Sequence, residues 1–252
     1  MKHAEILGID IGATGIKGAP VDIMKGELTA ARYKLDTPSS GKPKDVAKVV
    51  AELVDKFGWT GPIGFGFPGV IQHGVAKTSA NLDNDFIGVN LRELFHETLG
   101  LPTYVANDAD VAGMAEIAHG RGRGVMGTVL MITIGTGLGS ALFRDGVLIP
   151  NTEFGHLLYK KSVFEHYASN RARKEKKMSW LEWGRQFTIY LNHLNLLLSP
   201  DLFILGGGIS KKFEQWKTHI KVSVPITDAL LRNDAGIIGA AMYAASKIPA
   251  SI

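Results

Sequence analysis

Asp10-Ile11-Gly12-Ala13-Thr14-Gly15-Ile16-Lys17-Gly18 and Thr133-Ile134-Gly135-Thr136-Gly137-Leu138-Gly139-Ser140 open the two halves of the 252-residue chain. Each stretch follows a short apolar run (6–9 and 128–132) and leads into another (16–21 and 140–143). That pattern predicts strand, tight turn, strand, twice over. Glycine backbones approach an anion closely because they lack Cβ, while threonine hydroxyls and free amides donate to its oxygens. Two such turns facing each other would clasp one phosphate chain between two lobes. The pair points to phosphoryl transfer.

Outward from the first turn, further strands are expected over 4–10, 16–22, 28–34 and 63–67, with helices over 44–57 and 91–99. Pro43 suits the first turn of one helix, and Gly100 with Pro102 ends the other. A strand over 103–106 then delivers Asn107 and Asp108 at its tip, before a helix over 109–119. Outward from the second turn, a long helix is expected over 180–198. Ser179 and Glu182 form its capping box and Pro200 stops it. A buried strand over 201–205 runs into Gly206-Gly207-Gly208, and an Ala/Gly-rich helix over 236–246 should pack closely on a neighbour. Two β-rich openings, each followed by helices, suggest a duplicated α/β lobe with a cleft between.

Composition narrows the class. The chain is 45% hydrophobic and 21% charged with a formal net charge of +4, as in an ordinary soluble globule. No apolar stretch is long enough for a membrane span, and no signal peptide is expected before the first strand. The absence of cysteine excludes disulfides and thiolate zinc sites and fits the cytoplasm. The mild positive charge, without a nucleic-acid motif, gives no ground for a nucleic-acid partner.

Asp108 is the first candidate for catalysis. A carboxylate at the carboxyl end of a strand stands where open α/β sheets present ligand groups, and it can take a proton from an attacking alcohol. The alternative is a helix cap, and one residue can serve both purposes. Its neighbour Asp110 is expected to face water. Asp10 has two readings, a magnesium carboxylate acting through water and a turn former. Lys17 can reach a phosphate or simply be solvated. Glu153-Phe154-Gly155-His156 places a carboxylate and an imidazole around a glycine, a pair suited to sugar hydroxyls or to a structural role. Glu165-His166 is a similar pair. Gly64-Phe65-Gly66-Phe67-Pro68-Gly69 formally matches a dinucleotide fingerprint, but strand and turn follow where a helix is needed. No G-x-x-x-x-G-K-[ST] occurs, so a P-loop NTPase is not expected. The basic run Arg171-Ala172-Arg173-Lys174-Glu175-Lys176-Lys177 reads as a solvated surface or as an anion-binding one.

Taken together these motifs resemble the ROK family, in the sugar-kinase branch of the actin/hexokinase/Hsp70 fold. The resemblance covers nearly the whole chain. It implies duplicated actin-like ATPase (ribonuclease H-like) α/β lobes, residues 1–108 joined by helix 237–252 and residues 109–236, with an inter-lobe cleft. Phosphate loop one would be Asp10, Gly12, Ala13, Thr14, Gly15 and Lys17. Loop two would be Thr133, Gly135, Thr136 and Gly137, and the adenosine motif would include Gly207 and Gly208. Asp108 would be the general base, with Gly69, Asn107, Glu153, His156 and Glu165 on the sugar. The family's cysteine-rich zinc motif is missing, so no zinc is expected and His156 needs another orienter. Ala13 replaces a second glycine.

Residues 164–173 and 200–208 are similar to those of the polyphosphate glucokinases within this family. The resemblance implies magnesium, glucose (and mannose) as acceptor, inorganic polyphosphate with or without ATP as donor, a homodimer, and a polyphosphate surface at Arg171, Arg173 and Lys174. The competing expectations are an ATP-only hexose kinase and a non-catalytic sugar sensor.

Overall fold

The computed structural model describes residues 5–249. Residues 1–4 and 250–252 lie outside the described residues, and with them Ala4 of the expected first strand and the end of the expected first lobe. Two compact units are present, one running to Ala115 and resuming at Asp234, the other spanning Glu116–Asn233. No helix among the described residues is long and apolar enough to cross a membrane.

The first unit runs β1 (Glu5–Gly12), β2 (Gly15–Asp22), β3 (Glu27–Leu28), β4 (Tyr33–Leu35), α1 (Pro43–Lys56), β5 (Ile63–Phe67), β6 (Ile71–Gln72), β7 (Val75–Ala76), α2 (Leu91–Leu99), β8 (Thr103–Asn107) and most of α3 (Asp108–His119). The second runs β9 (Thr128–Ile134), β10 (Leu138–Arg144), β11 (Val147–Ile149), β12 (Leu158–Tyr159), β13 (Ser162–Val163), α4 (Glu165–Ala168), α5 (Asn170–Glu175), α6 (Trp180–Leu198), β14 (Leu202–Gly206), α7 (Phe213–Trp216) and β15 (Ile226–Asp228). The chain then returns to the first unit in α8 (Ala235–Lys247).

The main sheets are ordered β3-β2-β1-β5-β8 and β11-β10-β9-β14-β15. Each is a hairpin closed by a glycine turn, followed by two parallel strands. The duplication expected from the paired turns is therefore a duplication of topology. Parallel partners buried on both faces explain the continuous apolar runs of β1, β5, β9 and β14.

In the first unit Leu7, Ile9, Phe65 and Phe67 pack with Val46, Val50 and Leu53 of α1 and Phe95 of α2. On the other face α8 lies directly on the strands. A Cβ at Gly8 would strike the carbonyl of Ile237, and one at Gly64 that of Ala240. In the second unit the sheet packs on Trp183, Phe187, Tyr190, Leu191 and Leu194 of α6, with Trp216 of α7 behind them.

The single strand expected over 28–34 is two short strands instead. Both pair with β2. Between them Thr29 N donates to Pro20 O at 3.0 Å, so the side of Pro20 facing this edge has a carbonyl but no N–H to continue the ladder. The supposed dinucleotide fingerprint leads into the β6–β7 hairpin, turned at His73 and Gly74 with φ of 52° and 82°. No helix amino terminus follows it.

Candidate active site

In the first unit, register puts Asp10 of β1 opposite Lys17 of β2, and Lys17 Nζ lies 3.4 Å from Asp10 Oδ2. Gly12 and Gly15 close the hairpin, leaving Ala13 and Thr14 exposed at its tip. Thr37 Oγ1 donates to Gly12 O at 2.6 Å and steadies the turn from behind. The space beside Gly15 is taken by the Lys34 side chain, a cation at the loop that the motif reading did not single out. Asp10 also lies against Gly236 at the start of α8, where a Cβ would come within 3.1 Å of its carboxyl carbon.

Asn107 ends β8 and Asp108 begins α3. Asn107 is buried, and its Oδ1 accepts from the amides of Ala109 (2.9 Å) and Asp110 (3.0 Å), while Nδ2 donates to Gly69 O at 3.1 Å. Asn107 therefore caps α3 and fixes Gly69 in one stroke. What it retains for a ligand is its second Nδ2 hydrogen. Asp108, half-buried, accepts from Ala109 N at 2.7 Å through Oδ1. Because Asn107 caps the amides beyond, Asp108 is one step inside the helix, its carboxylate steadied at the positive end of α3. Asp110 does not face water; it is only 1% exposed. The reason is that α3 is covered by α8, where Gly239 admits the backbone of Val111.

Gly69 sits in a turn where a Cβ would strike Thr78 O. Next in the chain to Thr78, the hydroxyl of Ser79 is buried with no hydrogen-bond partner among the described residues. No motif flagged Ser79, and a single serine in a loop carries no signal that could have.

The second unit joins the other half of the expected site. In loop two Gly135 N donates to Gly137 O at 3.0 Å, Thr136 is exposed, and Thr133 pairs with Gly139 across the hairpin. Gly207 leaves β14 at φ 80°, close enough that a Cβ would reach 2.6 Å from the backbone of Ile134. Gly208 beside it faces open space. The Glu153–His156 turn is pinned to β10 by Ser140, whose Oγ donates to Thr152 O at 2.8 Å and accepts from Phe154 N at 3.1 Å. Gly155 is required there because Leu138 O occupies the Cβ position.

His156 stands between two carboxylates. Its Nδ1 lies 3.6 Å from Glu153 Oε2 and its Nε2 3.9 Å from Glu165 Oε2. Glu165 is the link to loop two. Its Oε2 accepts from Leu138 N at 3.3 Å and fills the space beside Gly137 that a Cβ would need. His166 Nε2 is 3.9 Å from Glu165 Oε1, and its Nδ1 lies 2.6 Å from Ser162 Oγ. Burial raises the pKa of Glu153, His156 opposes that rise and the neighbouring Glu165 adds to it.

The basic run is partly the helix α5, capped by Ser169, whose Oγ accepts from Ala172 N. Arg171 N donates to Gly135 O at 3.2 Å, which fastens α5 to loop two. Its cations have different surroundings. The Arg173 guanidinium lies 4.0 Å over the Trp180 ring and contacts Asn170 and Met178 O. Lys176 covers Tyr167 and donates to His166 O. Lys174 is exposed.

Residues 6–175 match the profile of the ROK family. The chain belongs to the ROK family. Among ROK relatives, a polyphosphate glucokinase of Mycobacterium tuberculosis is 44% identical over 93% of this chain and 89% of its own. A polyphosphate glucokinase of Mycobacterium leprae is 43% identical over 96% of this chain and 75% of its own. The crystal structure of an inorganic polyphosphate/ATP-glucomannokinase from Arthrobacter sp. strain KM superposes with a TM-score of 0.95 at 44% identity, covering 98% of this chain and all of that one. A ROK glucokinase from Streptomyces griseus, in complex with glucose and AMPPNP, shares the fold with a TM-score of 0.80 at 23% identity, covering 96% and 99%. The fold is the actin-like ATPase fold of these sugar kinases.

Proposed function

We propose that this protein transfers the terminal phosphoryl group of inorganic polyphosphate to the 6-hydroxyl of glucose, giving glucose 6-phosphate. The likeness to polyphosphate glucokinases, 44% identity across nearly the whole chain, carries this reading. ATP as a second donor and mannose as a second acceptor follow from the equally similar polyphosphate/ATP-glucomannokinase. The proposal includes a cytoplasmic homodimer, on the strength of the family resemblance and a cysteine-free sequence.

Asp108 accepts the proton of the 6-hydroxyl as that oxygen attacks the terminal phosphorus in line. Gly69 and Asn107 of the first unit, with Glu153, His156 and Glu165 of the second, hold the remaining hydroxyls. The exposed amides and hydroxyls of Ala13, Thr14 and Thr136 donate to phosphate oxygens, and the glycines about them let the donor approach. Gly207 and Gly208 receive the nucleotide when ATP is the donor. Arg171, whose amide is fastened to loop two, supplies cations to a long polyanion together with Arg173 and Lys174 of the same helix.

Among the described residues no three His, Asp or Glu side chains gather into a cation cage. A single, partly exposed carboxylate at loop one, paired with Lys17, suits magnesium, which keeps most of its waters and takes the rest of its ligands from phosphates. Asp10 would hold that ion through water, and when bound it would offset the charge on the phosphates.

The test is glucose 6-phosphate formation by the purified protein, measured side by side with polyphosphate and ATP, each with glucose and mannose. Turnover with polyphosphate and glucose is expected. Product from ATP alone would make the protein an ATP-only hexose kinase, and no product from either donor would leave a sugar sensor.

A further inference from the structure

Residues 160–177 hold seven Lys and Arg against two carboxylates, Glu165 and Glu175, a net charge of +5 in a chain whose total is +4. The excess positive charge of the whole sequence is therefore concentrated in this one stretch of the second unit. Among the described residues none of the seven forms an ion pair with a carboxylate, whereas Lys17, Lys25, Arg32 and Lys48 of the first unit do. A run of exposed lysines is ordinarily just solvated, but two features set this one apart. Aromatic rings hold part of it in place. Lys160 Nζ lies 5.0 Å from the ring centre of Tyr159 and 5.6 Å from that of Tyr167, and Lys176 Nζ lies 4.6 Å from that of Tyr167. The two rings meet edge to face at 5.2 Å, and Lys176 Nζ also donates to His166 O at 2.7 Å. Ammoniums steadied in this way have less freedom left to lose when a ligand arrives, and with no carboxylate at hand their mutual repulsion favours an anion. The patch is also fastened to loop two at two points. Glu165 Oε2, on α4 with Tyr167, accepts from Leu138 N at 3.3 Å, and Arg171 N, on the α5 that leads to Lys176, donates to Gly135 O at 3.2 Å.

We propose that Lys160 and Lys176, held by Tyr159 and Tyr167, form a distal anion site that grips the polyphosphate chain beyond the transfer site, so that affinity grows with chain length. The match is one of charge pattern: a linear chain with a charge on every phosphate can occupy loop two and these ammoniums together. A donor of three phosphates has no further charges to offer once its end lies at loop two. The proposal rests on the reading of polyphosphate as donor, and it extends the donor's path from α5 to the β12–β13 hairpin.

The test compares wild type, Lys160→Gln, the K160Q/K176Q double variant and the charge-keeping K160R/K176R pair. Calorimetric dissociation constants for tripolyphosphate and for long-chain polyphosphate are measured at several salt concentrations, beside melting curves and glucose 6-phosphate formation. The double Gln variant should bind long-chain polyphosphate about tenfold more weakly, as for lost contacts to a charged group, with a shallower dependence on salt. Its affinity for tripolyphosphate and its kcat at saturating long-chain donor should stay close to wild type, and the Arg pair should restore long-chain binding. Long-chain binding that is unchanged, or weakened no more than that of tripolyphosphate, overturns the proposal while wild-type turnover with polyphosphate leaves the donor reading standing. Absence of that turnover in wild type removes the donor reading and the proposal with it. If the double variant loses its cooperative melt, Lys160→Gln alone, which breaks no hydrogen bond among the described residues, must still show the loss for long chains. Wild-type behaviour of that single variant would then overturn the proposal. Displacement of long-chain polyphosphate by a single-stranded oligonucleotide of equal charge at lower concentration would assign the patch to nucleic acid, and would also overturn it.

Discussion

As a proposed sugar ligand, Glu153 would trade stability for binding. Burial raises its pKa, with Glu165 adding to the effect and His156 opposing it. A carboxyl whose folded pKa is raised contributes stability below the ordinary carboxylate range and loses it as pH climbs through the folded value. Ionising Glu153 as pH climbs therefore costs the fold free energy. Glu153→Gln should melt at or above the wild-type temperature at neutral pH, with the advantage shrinking towards about pH 4 as the wild-type carboxyl becomes protonated. Glucose affinity should fall at the same time. Melting curves across pH beside calorimetric binding check this, and a lower melting temperature for the variant at neutral pH would contradict it. The residue scale was also where the sequence was least legible. Asn107 was visible as a polar neighbour of Asp108, but that its oxygen caps α3 and its nitrogen holds Gly69 depends on a contact 38 positions away. Asp110 was misread because one helix's own pattern cannot show that α8 covers it.

Among the elements, α8 and α5 are the most informative. The Ala/Gly composition of α8 implied close packing, and the structure shows why: carbonyls of α8 occupy the Cβ positions of Gly8 and Gly64. Backbone cannot yield as a flexible side chain would. Gly64→Ala should therefore cost stability at or beyond the upper end of roughly 1–3 kcal/mol, measured by chemical denaturation; a near-neutral value would mean that α8 shifts freely. In α5 the three cations should separate. Neutralising Arg171 and Lys174 is expected to lower kcat/KM for polyphosphate by on the order of tenfold, with a smaller effect for ATP and a steeper salt dependence with polyphosphate in the wild type. Arg173→Ala should also destabilise the fold, because its guanidinium packs on Trp180. Equal losses with both donors would remove α5 from the polyphosphate surface. Periodicity and caps made the long elements readable: α6 has the expected bounds, and its Ser179–Glu182 capping box is formed. The broken strand beside Pro20 and the short helices α4 and α5 were not readable, since each is fixed by partners distant in sequence.

For the whole molecule, two glycine turns in one sequence became two sheets that share a five-strand order, the first with β4 added on β2, each opening on one of those turns. That repeat was legible because turn chemistry is local and glycine has few substitutes there. The chemistry is divided between the halves: the proposed base and loop one belong to the first unit, while loop two, the His156 cluster and α5 belong to the second. The central claim is that this assembly moves a phosphoryl group from polyphosphate to glucose with Asp108 taking the proton. The direct measurement is glucose 6-phosphate formation from polyphosphate by Asp108→Asn, paired with its calorimetric affinity for glucose. Turnover should fall by ~10²–10⁴-fold or more while glucose binding stays close to wild type. Near-normal turnover in that variant would contradict the account.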